Sequence, residues 1–415
     1  MFGNARESAI YQVVRQAIIK TSVLRRLILT DASGFLNTNR LLWTVMRYQH
    51  VCLEAFGYSI PDEVLSSDEI ETRLAPLYQR LRLPEGRLEL ISGIRERRLW
   101  PRGMRPSEQS IVSGQRAIAN AGIDPQRIGA LIHGSVCRDY LEPATACRVH
   151  HHLGLPERCQ TYDVSNACLG LLSGMVQIAN LIELGQIDAG LVVGTEDSRH
   201  LVESTIAALN ADQSLTRETV KSAIASLTIG SASAAVLLTH KSISKTQNRL
   251  TAAAVRSHSQ HYKLCEGGIQ DQGGSSALLM QTDSEKLLAG GLATGKETYF
   301  DFMAESGWSS DDVHRSICHQ VGGTHRKMML QSLELSPERD FCTFPWLGNT
   351  GSVALPITMA LAVEQGFIQP QEHVAMLGIG SGINCVMLAV DWQKSLNSGK
   401  QPAQRPAGEQ LAATI

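Results

Sequence analysis

The chain has 415 residues, of which 43% are hydrophobic and 19% are charged, and its formal net charge is −2. This composition is typical of a globular protein with a large core, and it argues against nucleic-acid or anionic-membrane binding as the main activity. Nine cysteines without a C-x-x-C pair argue against a disulfide framework and favour a reducing cytoplasm. No run approaches the roughly 18–20 apolar residues of a membrane span, so no transmembrane segment is expected.

The N-terminal segment, residues 1–45, is more basic than the rest of the chain. Its charged residues are Arg6, Arg15, Lys20, Arg25, Arg26 and Arg40, against only Glu7 and Asp31. A secretory signal would need a continuous apolar core and a cleavage site, and neither is present. Two interpretations remain: a basic amphipathic helix that contacts a membrane surface or a partner, or an extension added before the domain. The second is favoured because Met46 begins a plausible domain of its own.

From residue 46 the sequence predicts alternating strands and helices. Strands are expected at 51–58, 130–135, 160–164, 189–194 and 231–238, and helices at 107–121, before residue 154 and at 169–184. An additional helix is expected to start at Ser66, which forms a capping box with Glu69, and to end or kink at Pro76. Residues 202–228 are helical in pattern but more polar, which is typical of a lid or cap.

Cys168 lies where the strand pattern of residues 160–164 leads into the long apolar helix pattern of residues 169–184. A cysteine at such a turn is close to a helix N-terminus, where free N–H groups and the helix dipole favour the thiolate. The same N–H groups could hold the oxyanion that forms when the thiolate attacks a carbonyl. Local context alone leaves two alternatives open: this nucleophile, or a buried apolar cysteine.

A polar link at residues 241–249 marks the midpoint of the fold. The second half is expected to contain strands at 250–255, 313–319, 374–379 and 385–390, helices at 283–303 and 353–365, and an irregular glycine-rich stretch at 266–276. The predicted organisation is a basic extension (1–45), an N-terminal half (46–245), a C-terminal half (246–395) and a flexible tail (396–415).

Two patterns suggest ligands but are better explained otherwise. The glycine-rich turn at residues 378–382 has no βαβ unit after it, which argues strongly against a dinucleotide site. The run of histidines at residues 150–152 is helical in pattern, and consecutive helical side chains point in different directions, so no metal site is expected. We expect no bound cofactor.

Four motifs occur in order along the chain. They are Asp-Val-Ser-Asn-Ala-Cys-Leu-Gly (163–170), Cys-His-Gln (318–320), Gly-Asn-Thr-Gly-Ser (348–352) and Gly-Ile-Gly-Ser-Gly-Ile-Asn-Cys (378–385). Together with Gly-Ile-Arg-Glu-Arg at 93–97, this set resembles the 3-oxoacyl-ACP synthase III branch of the thiolase superfamily over about residues 48–392. The resemblance implies an α/β class fold, in which thiolase-like duplicated halves form αβαβα layers with mixed sheets, and it implies a homodimer.

The resemblance also implies roles for individual residues. Cys168 would accept the acyl group, and His319 and Asn349 would donate hydrogen bonds to the thioester oxygen of the incoming donor as it becomes an enolate. The backbone N–H groups of Cys168 and Ser381 would form the oxyanion hole. The phosphate end of CoA or phosphopantetheine would lie near Arg95, Arg97 and Arg98. The substrates would be acyl-CoA or acyl-ACP.

Glu142 determines which reaction the resemblance implies. It lies 26 residues before Cys168, on a loop at residues 138–143 that in this family reaches into the partner's acyl pocket. Chain-initiating synthases usually have an apolar residue there. Glu142 looks like the glutamate of bacterial enzymes that condense two acyl-CoA molecules head to head in long-chain olefin synthesis. An acyl-CoA donor must lose an α-proton, and a carboxylate buried beside the thioester suits that task.

The leading hypothesis is therefore a non-decarboxylative Claisen condensation of two fatty acyl thioesters. The polar segment 202–228 is similar to an insertion in that subfamily and could help to enclose a second alkyl chain. The main alternative is a chain-initiating 3-oxoacyl-ACP synthase III that uses a malonyl-ACP donor, which forms its enolate by losing carbon dioxide and needs no base. An acyltransferase to an alcohol or amine and a degenerate scaffold are further alternatives. The alternative interpretation of Glu142 itself is a surface loop carboxylate paired with Arg138.

Overall fold

The computed structural model describes residues 46–271 and 276–394, without the side chains of Asp271 and Ser276. The predictions for residues 1–45 and 396–415 lie outside the described residues. No helix in the described ranges is long and apolar enough to cross a bilayer.

Strands and helices alternate along the described chain, as the sequence predicts. The strands are β1 (Met46–Arg47), β2 (Val51–Ser59), β3 (Glu63–Ser66), β4 (Glu96–Leu99), β5 (Ile128–Gly134), β6 (Gln160–Val164), β7 (Ala189–Glu196), β8 (Ala232–His240), β9 (Arg249–Ser257), β10 (Cys265–Asp271), β11 (Ser276–Thr282), β12 (Arg315–Cys318), β13 (Glu372–Gly380) and β14 (Asn384–Trp392). The helices are α1 (Ser67–Arg73), α2 (Ala75–Leu81), α3 (Arg87–Ser92), α4 (Pro106–Ala121), α5 (Thr145–Leu153), α6 (Gly170–Glu183), α7 (Arg199–Ala211), α8 (Lys221–Ile224), α9 (Ser284–Ser306), α10 (Gly323–Ser332), α11 (Phe344–Leu347) and α12 (Ala354–Glu364).

The main sheet is mixed and joins the two halves of the chain. Its strand order is β12-β13-β14-β9-β2-β8-β7-β5-β6. Only β12–β13, β5–β6 and β5–β7 pair in parallel, and the remaining neighbours on this path are antiparallel. The halves meet at β2 and β9, where Cys52 is paired with Arg249. The mixed sheet is the arrangement expected from the resemblance.

Helices cover both faces of this sheet. The inner helices α6 and α12 are apolar on nearly all sides, and their buried residues share one core with strands of both halves. The outer helices α4 and α5 pack over the N-terminal half, and α9 and α10 pack over the C-terminal half. Because both faces are covered, strands such as β7 and β8 read as continuous apolar runs. The inner helices begin at the end of the cysteine motif and shortly after the Gly-Asn-Thr-Gly-Ser motif.

The first helix begins as the capping box predicts, with the Ser66 hydroxyl accepting a hydrogen bond from the Glu69 N–H. Pro76 lies in the first turn of the next helix, where its missing N–H costs nothing.

One prediction was wrong. The described part of the glycine-rich stretch, residues 266–271 and 276, is extended and belongs to an antiparallel strand pair, in which β10 pairs with β11. Glycines are poor strand formers in isolation, but seven cross-strand residue pairs compensate here.

His133 lies in β5 and is fully buried, and neither of its ring nitrogens has a hydrogen-bond partner among the described residues. Burial lowers its pKa to about 4, while Asp163 and Asp139 act in the opposite direction. His133 stays neutral in the folded protein, whereas in the unfolded chain it binds a proton below its ordinary pKa of about 6.5. The free energy of unfolding is therefore highest above pH 6.5 and falls as the pH decreases toward 4.

We therefore expect the wild-type protein to lose about 1 kcal/mol of unfolding free energy through His133 alone between pH 7.5 and pH 5.5. His133→Leu should flatten this part of the pH slope, and it should change stability little at pH 7.5 because the imidazole makes no hydrogen bond to lose. Urea unfolding at both pH values measures the effect. An unchanged slope in the variant would contradict this interpretation.

Candidate active site

The site lies where several strand ends of the main sheet meet. The register pairs Gly134 of β5 with Val164 of β6, so the loops that follow these strands start side by side. In the other half, Cys318 of β12 is paired with Leu377 of β13, which brings the next residue, His319, beside the end of β13. The cysteine turn and the histidine come from different halves of the chain, and both line the same cavity.

Cys168 lies in the turn between β6 and α6, two residues before the helix begins. The preceding Ala167 has a φ of 43°, a left-handed conformation that is uncommon for alanine and makes the turn sharp. The start of α6 packs directly on the end of β5, and a Cβ on Gly170 would lie 2.7 Å from the carbonyl carbon of Gly134. Only glycine permits this approach, which fixes the position of the cysteine relative to the sheet.

The pKa of Cys168 differs from the expectation for a cysteine at a helix N-terminus. Burial raises it to about 12, Glu196 and Cys265 add to the increase, and only a backbone hydrogen bond acts in the opposite direction. The resting group is therefore a thiol, and the predicted stabilised thiolate is corrected. Desolvation outweighs the backbone hydrogen bond that favours the thiolate in this enclosed site.

His319 is 7% exposed and lines the same cavity as Cys168. Its backbone N–H donates to the carbonyl of Leu377, which ties it to β13. Burial, with a further contribution from His325, lowers the pKa of His319 to about 4. The imidazole is therefore neutral near pH 7 and can offer one N–H without adding a charge.

Asn349 lies in the turn before α12 and also lines the cavity. Its backbone is held in a short parallel bridge with Ile229, and its side-chain oxygen accepts a hydrogen bond from the N–H of Gly351 at 3.0 Å. This bond orients the amide so that its NH₂ group is available to a carbonyl oxygen. Asn349 and His319 together supply the donors that a developing enolate requires.

The glycine-rich turn after β13 lies against the nucleophile. A Cβ on Gly380 would lie 3.5 Å from the backbone nitrogen of Cys168. The next residue, Ser381, lines the cavity, and its carbonyl accepts a hydrogen bond from the Asn384 side chain. The same Asn384 amide donates to Asn166 in the cysteine turn. The two backbone segments predicted to form the oxyanion hole are therefore adjacent.

These residues open into one cavity of about 870 Å³, toward the upper end of the usual range for small-molecule sites. Its apolar walls come from α7, the β10–β11 hairpin, α9 and α10, and include Leu201, Leu278, Met280, Leu287, Leu292 and Met329. The segment interpreted as a lid contributes to this wall, and its Ser226 hydroxyl donates to the Met280 carbonyl of the hairpin. A thiol, a neutral imidazole and an amide thus meet at an apolar pocket suited to an alkyl chain.

Glu142 does not line this cavity. It is exposed, and no ion pair with Arg138 occurs among the described residues. Its neighbour Leu141 is 97% exposed, which is unusual for a leucine in a monomer surface loop.

The Glu142 loop is held firmly at its base. The Asp139 carboxylate accepts the N–H of Ser107 at the start of α4. On the other side, the Asp163 carboxylate accepts the N–H of Thr145 at the start of α5. The loop therefore presents a projecting tip on an anchored base.

Two of the three predicted phosphate-binding arginines are corrected. Arg97 is fully buried and donates to the Leu65 carbonyl and the Ser67 hydroxyl, and burial lowers its pKa to about 10. Arg98 is 7% exposed and pairs with Glu96. Arg97 thus links β4 to β3 and to the start of α1, whereas Arg98 pairs within β4. Arg95 is exposed, and its role in phosphate binding stays a prediction.

The sequence reasoning assigned no role to Glu196, the last residue of β7. It is 4% exposed and lines the cavity with Cys168. One feature of the sequence could have identified Glu196 as a site residue: it is a carboxylate at the end of a continuous buried strand. Cys265 of the hairpin also lines the cavity and was not anticipated.

Comparison with known proteins agrees with this geometry. The chain matches the family described as "Thiolase, N-terminal domain" over residues 102–271 and that described as "3-oxoacyl-(acyl-carrier-protein) synthase III C terminal" over residues 303–392. It is 44% identical over 351 residues to an acyl-CoA:acyl-CoA alkyltransferase of Shewanella oneidensis, covering 84% of this chain and 100% of that protein.

Two solved structures have the same fold. A cysteine-to-serine variant of Xanthomonas campestris OleA with bound lauric acid and lauroyl-CoA has a TM-score of 0.78 and 32% identity, covering 83% of this chain and 100% of the other. A 3-oxoacyl-(acyl carrier protein) synthase III, FabH, from Xanthomonas oryzae has a TM-score of 0.78 and 33% identity, covering 84% of this chain and 100% of the other.

Proposed function

The chain belongs to the thiolase superfamily, in the group that contains the acyl-CoA:acyl-CoA alkyltransferases, and from this premise we propose that it joins two fatty acyl-CoA molecules head to head. The observation that carries the proposal is that Cys168, His319 and Asn349 line one large apolar cavity. The 44% identity to an alkyltransferase over its full length supports this chemistry.

In the first step the Cys168 sulfur attacks the carbonyl carbon of one acyl-CoA. The bond between the carbonyl carbon and the CoA sulfur breaks, the proton given up by the Cys168 thiol is balanced by the one that the departing CoA sulfur takes up, and the acyl group stays on the enzyme. The backbone N–H groups of Cys168 and Ser381 hold the oxyanion of the tetrahedral intermediate. The apolar walls of the cavity take the alkyl chain.

In the second step Glu142 takes a proton from the α-carbon of a second acyl-CoA. His319 and Asn349 donate hydrogen bonds to the enolate oxygen. The α-carbon attacks the carbonyl carbon of the acyl-Cys168 thioester, a carbon–carbon bond forms and the bond to the cysteine sulfur breaks. The product is a 2-alkyl-3-ketoacyl-CoA, and the freed cysteine can react again.

The position of Glu142 supports a homodimer as the active form. Glu142 is exposed and lies outside the cavity of its own chain, so it reaches a reacting α-carbon only in a second copy. The exposed Leu141 beside it supplies apolar surface for such an interface. We also propose that Arg95 lies near the phosphate end of CoA. All nine cysteines are free, which supports action in the reducing cytoplasm.

The alternative is a chain-initiating synthase that condenses an acyl group with malonyl-ACP. A structural neighbour with that name has the same fold, so the fold does not separate the two reactions. The carboxylate at residue 142 favours the head-to-head reaction, because a malonyl donor needs no base.

Incubation of the full-length protein with myristoyl-CoA as the only substrate tests the proposal. We expect a myristoyl adduct on Cys168 and release of a 2-dodecyl-3-ketohexadecanoyl product, or of the ketone formed when this product loses carbon dioxide. Mass spectrometry of the protein and of the extracted lipids measures both. Product formation only after addition of malonyl-ACP would reject the head-to-head reaction and support the alternative.

A further inference from the structure

Asn384 lies between the two backbone segments predicted to form the oxyanion hole, and the proposed mechanism does not use it. One segment is the cysteine turn before α6, and the other is the glycine-rich turn at the end of β13. The N–H groups of Cys168 and Ser381 can stabilise the same oxygen atom only if both point at it. Because the two turns come from different halves of the chain, a contact between them must fix their relative position.

The backbone of Asn384 is fixed by the main sheet. Asn384 is the first residue of β14, and it is paired with Gly380 of β13 on one side and with Ser257 of β9 on the other. Directly paired residues of an antiparallel sheet have their side chains on the same face. Gly380 has no side chain, and a Cβ there would lie 3.5 Å from the backbone nitrogen of Cys168. The Asn384 side chain therefore lies on the face against which the cysteine turn packs.

The side-chain amide of Asn384 donates to both turns. Its NH₂ group bonds the carbonyl oxygen of Ser381 at 3.2 Å and the side-chain oxygen of Asn166 at 3.1 Å. An amide nitrogen carries two protons, so these two bonds use both of them. Within the described ranges no hydrogen bond runs directly from the cysteine turn to the glycine-rich turn, so Asn384 supplies the connection.

Further contacts orient both amides of this bridge. The Asn166 NH₂ group donates to the hydroxyl of Ser173 in α6 at 2.9 Å, which leaves the Asn166 oxygen to accept from Asn384. Gly382 has a φ of 130°, and a Cβ there would lie 2.6 Å from the amide nitrogen of Asn384. A side chain at residue 382 would therefore displace the amide, so glycine at this position leaves the space that the bridge requires.

We propose that Asn384 is a positioning residue that aligns the two N–H groups of the oxyanion hole by bridging Ser381 and Asn166. It does not touch the reacting atoms. The oxyanion hole is needed when Cys168 is acylated and again when the enolate attacks the acyl-cysteine, so the bridge contributes to both steps. This role rests on the proposed function, since it concerns the alignment of that same site.

Asn384→Ala tests the proposal through the rate at which myristoyl-CoA acylates Cys168. We expect the maximal rate to fall by about 10²-fold, since a small displacement of an aligned group has an effect of this size. The concentration of myristoyl-CoA that gives half the maximal rate should change little, because the apolar walls that hold the alkyl chain are distant from this amide in the chain and stay intact. Single-turnover measurements of the protein mass give both quantities.

Asn384→Asp separates the hydrogen bonds of Asn384 from its shape. The carboxylate has the size of the amide but no proton to donate to Ser381 or Asn166, so this variant should be at least as slow as Asn384→Ala. A folded Asn384→Asp or Asn384→Ala variant that acylates at the wild-type rate would overturn the proposal. Thermal unfolding identifies any variant that fails to fold.

Alkylation of Cys168 by iodoacetamide distinguishes alignment of the oxyanion hole from a general defect of the site. This displacement forms no oxyanion, so it requires the thiol but not the two N–H groups. In Asn384→Ala, Cys168 should be alkylated at the wild-type rate, measured on the peptide that contains it, although its acylation is slow. Equal losses of alkylation and acylation would overturn the proposal, because the cysteine itself would then be displaced.

Asn166→Ala removes the acceptor of the same bridge. A bridge can be lost only once, so the variant with both Asn166→Ala and Asn384→Ala should acylate no more slowly than the slower single variant. Single effects that multiply in the double variant would contradict a shared bridge. Asn120→Ala is the matched control, since Asn120 of α4 is also half-buried and donates to the Phe56 carbonyl at 2.9 Å. It should acylate at the wild-type rate, because it lies outside the site.

The acylation step separates the role of Asn384 from the proposed function. Transfer of a myristoyl group from CoA to Cys168 does not depend on the second substrate. A wild-type enzyme that acylates but fails to condense two myristoyl-CoA molecules would reject the head-to-head reaction. The acylation and alkylation rates of the Asn384 variants would still decide whether Asn384 aligns the oxyanion hole.

Discussion

Glu142→Gln is expected to lower the rate of condensation of two myristoyl-CoA molecules by about 10²- to 10⁴-fold, the usual contribution of a general base. The amide keeps the size of the side chain but cannot accept the α-proton of the donor. Acylation of Cys168 should continue at close to the wild-type rate, because this step removes no α-proton. Product analysis and protein mass spectrometry measure the two steps separately.

Glu157→Gln is the matched control, since Glu157 is another exposed carboxylate, located in the turn that follows α5. It should leave both steps unchanged. If condensation by Glu142→Gln proceeds at the wild-type rate, Glu142 is not the base, and a decarboxylating donor becomes the better explanation.

Mixing two inactive variants tests whether Glu142 acts on the partner subunit. In a heterodimer of Glu142→Gln and Cys168→Ala, one cavity combines an intact cysteine with an intact glutamate from the other chain. Random mixing of subunits should then restore about a quarter of the wild-type activity. If the glutamate acted within its own chain, no cavity would be complete and no activity would return.

Cys168→Ala is expected to abolish the covalent acyl-enzyme and all condensation product. The sulfur is the atom that accepts the acyl group, and alanine offers no replacement nucleophile. Intact-protein mass spectrometry after incubation with myristoyl-CoA should show no adduct. The alanine fits the space of the cysteine, so the variant should fold and bind substrate.

Cys265→Ala is the control for this variant, because Cys265 lines the same cavity on the β10–β11 hairpin. We expect it to acylate at least as fast as the wild type, since Cys265 adds to the raised pKa of Cys168. An adduct that persists in Cys168→Ala and disappears in Cys265→Ala would show that Cys265, and not Cys168, is the nucleophile.

Much of the fold follows from local patterns in the sequence. Continuous apolar runs such as 189–194 predict buried strands, and the capping box at Ser66 predicts a helix start, because both depend on neighbouring residues. The β10–β11 hairpin could not be predicted this way. Its glycines favour an irregular chain locally, and only the paired strand makes the extended conformation stable.

The sequence by itself was sufficient to pick out Cys168, His319 and Asn349, because their motifs combine a reactive side chain with the small residues that a tight turn requires. Tertiary structure alone decided the rest. Arg97 and Arg98 were predicted to bind phosphate, but both side chains are buried and contact interior groups. Burial also raises the pKa of Cys168, although its position before a helix N-terminus predicted a lowered pKa. Solvent exposure and pKa depend on which segments pack around a group, and those segments are distant in the chain. For the same reason the contacts of Glu196 with the Ser352 turn and the Cys137 loop could not be predicted from the sequence.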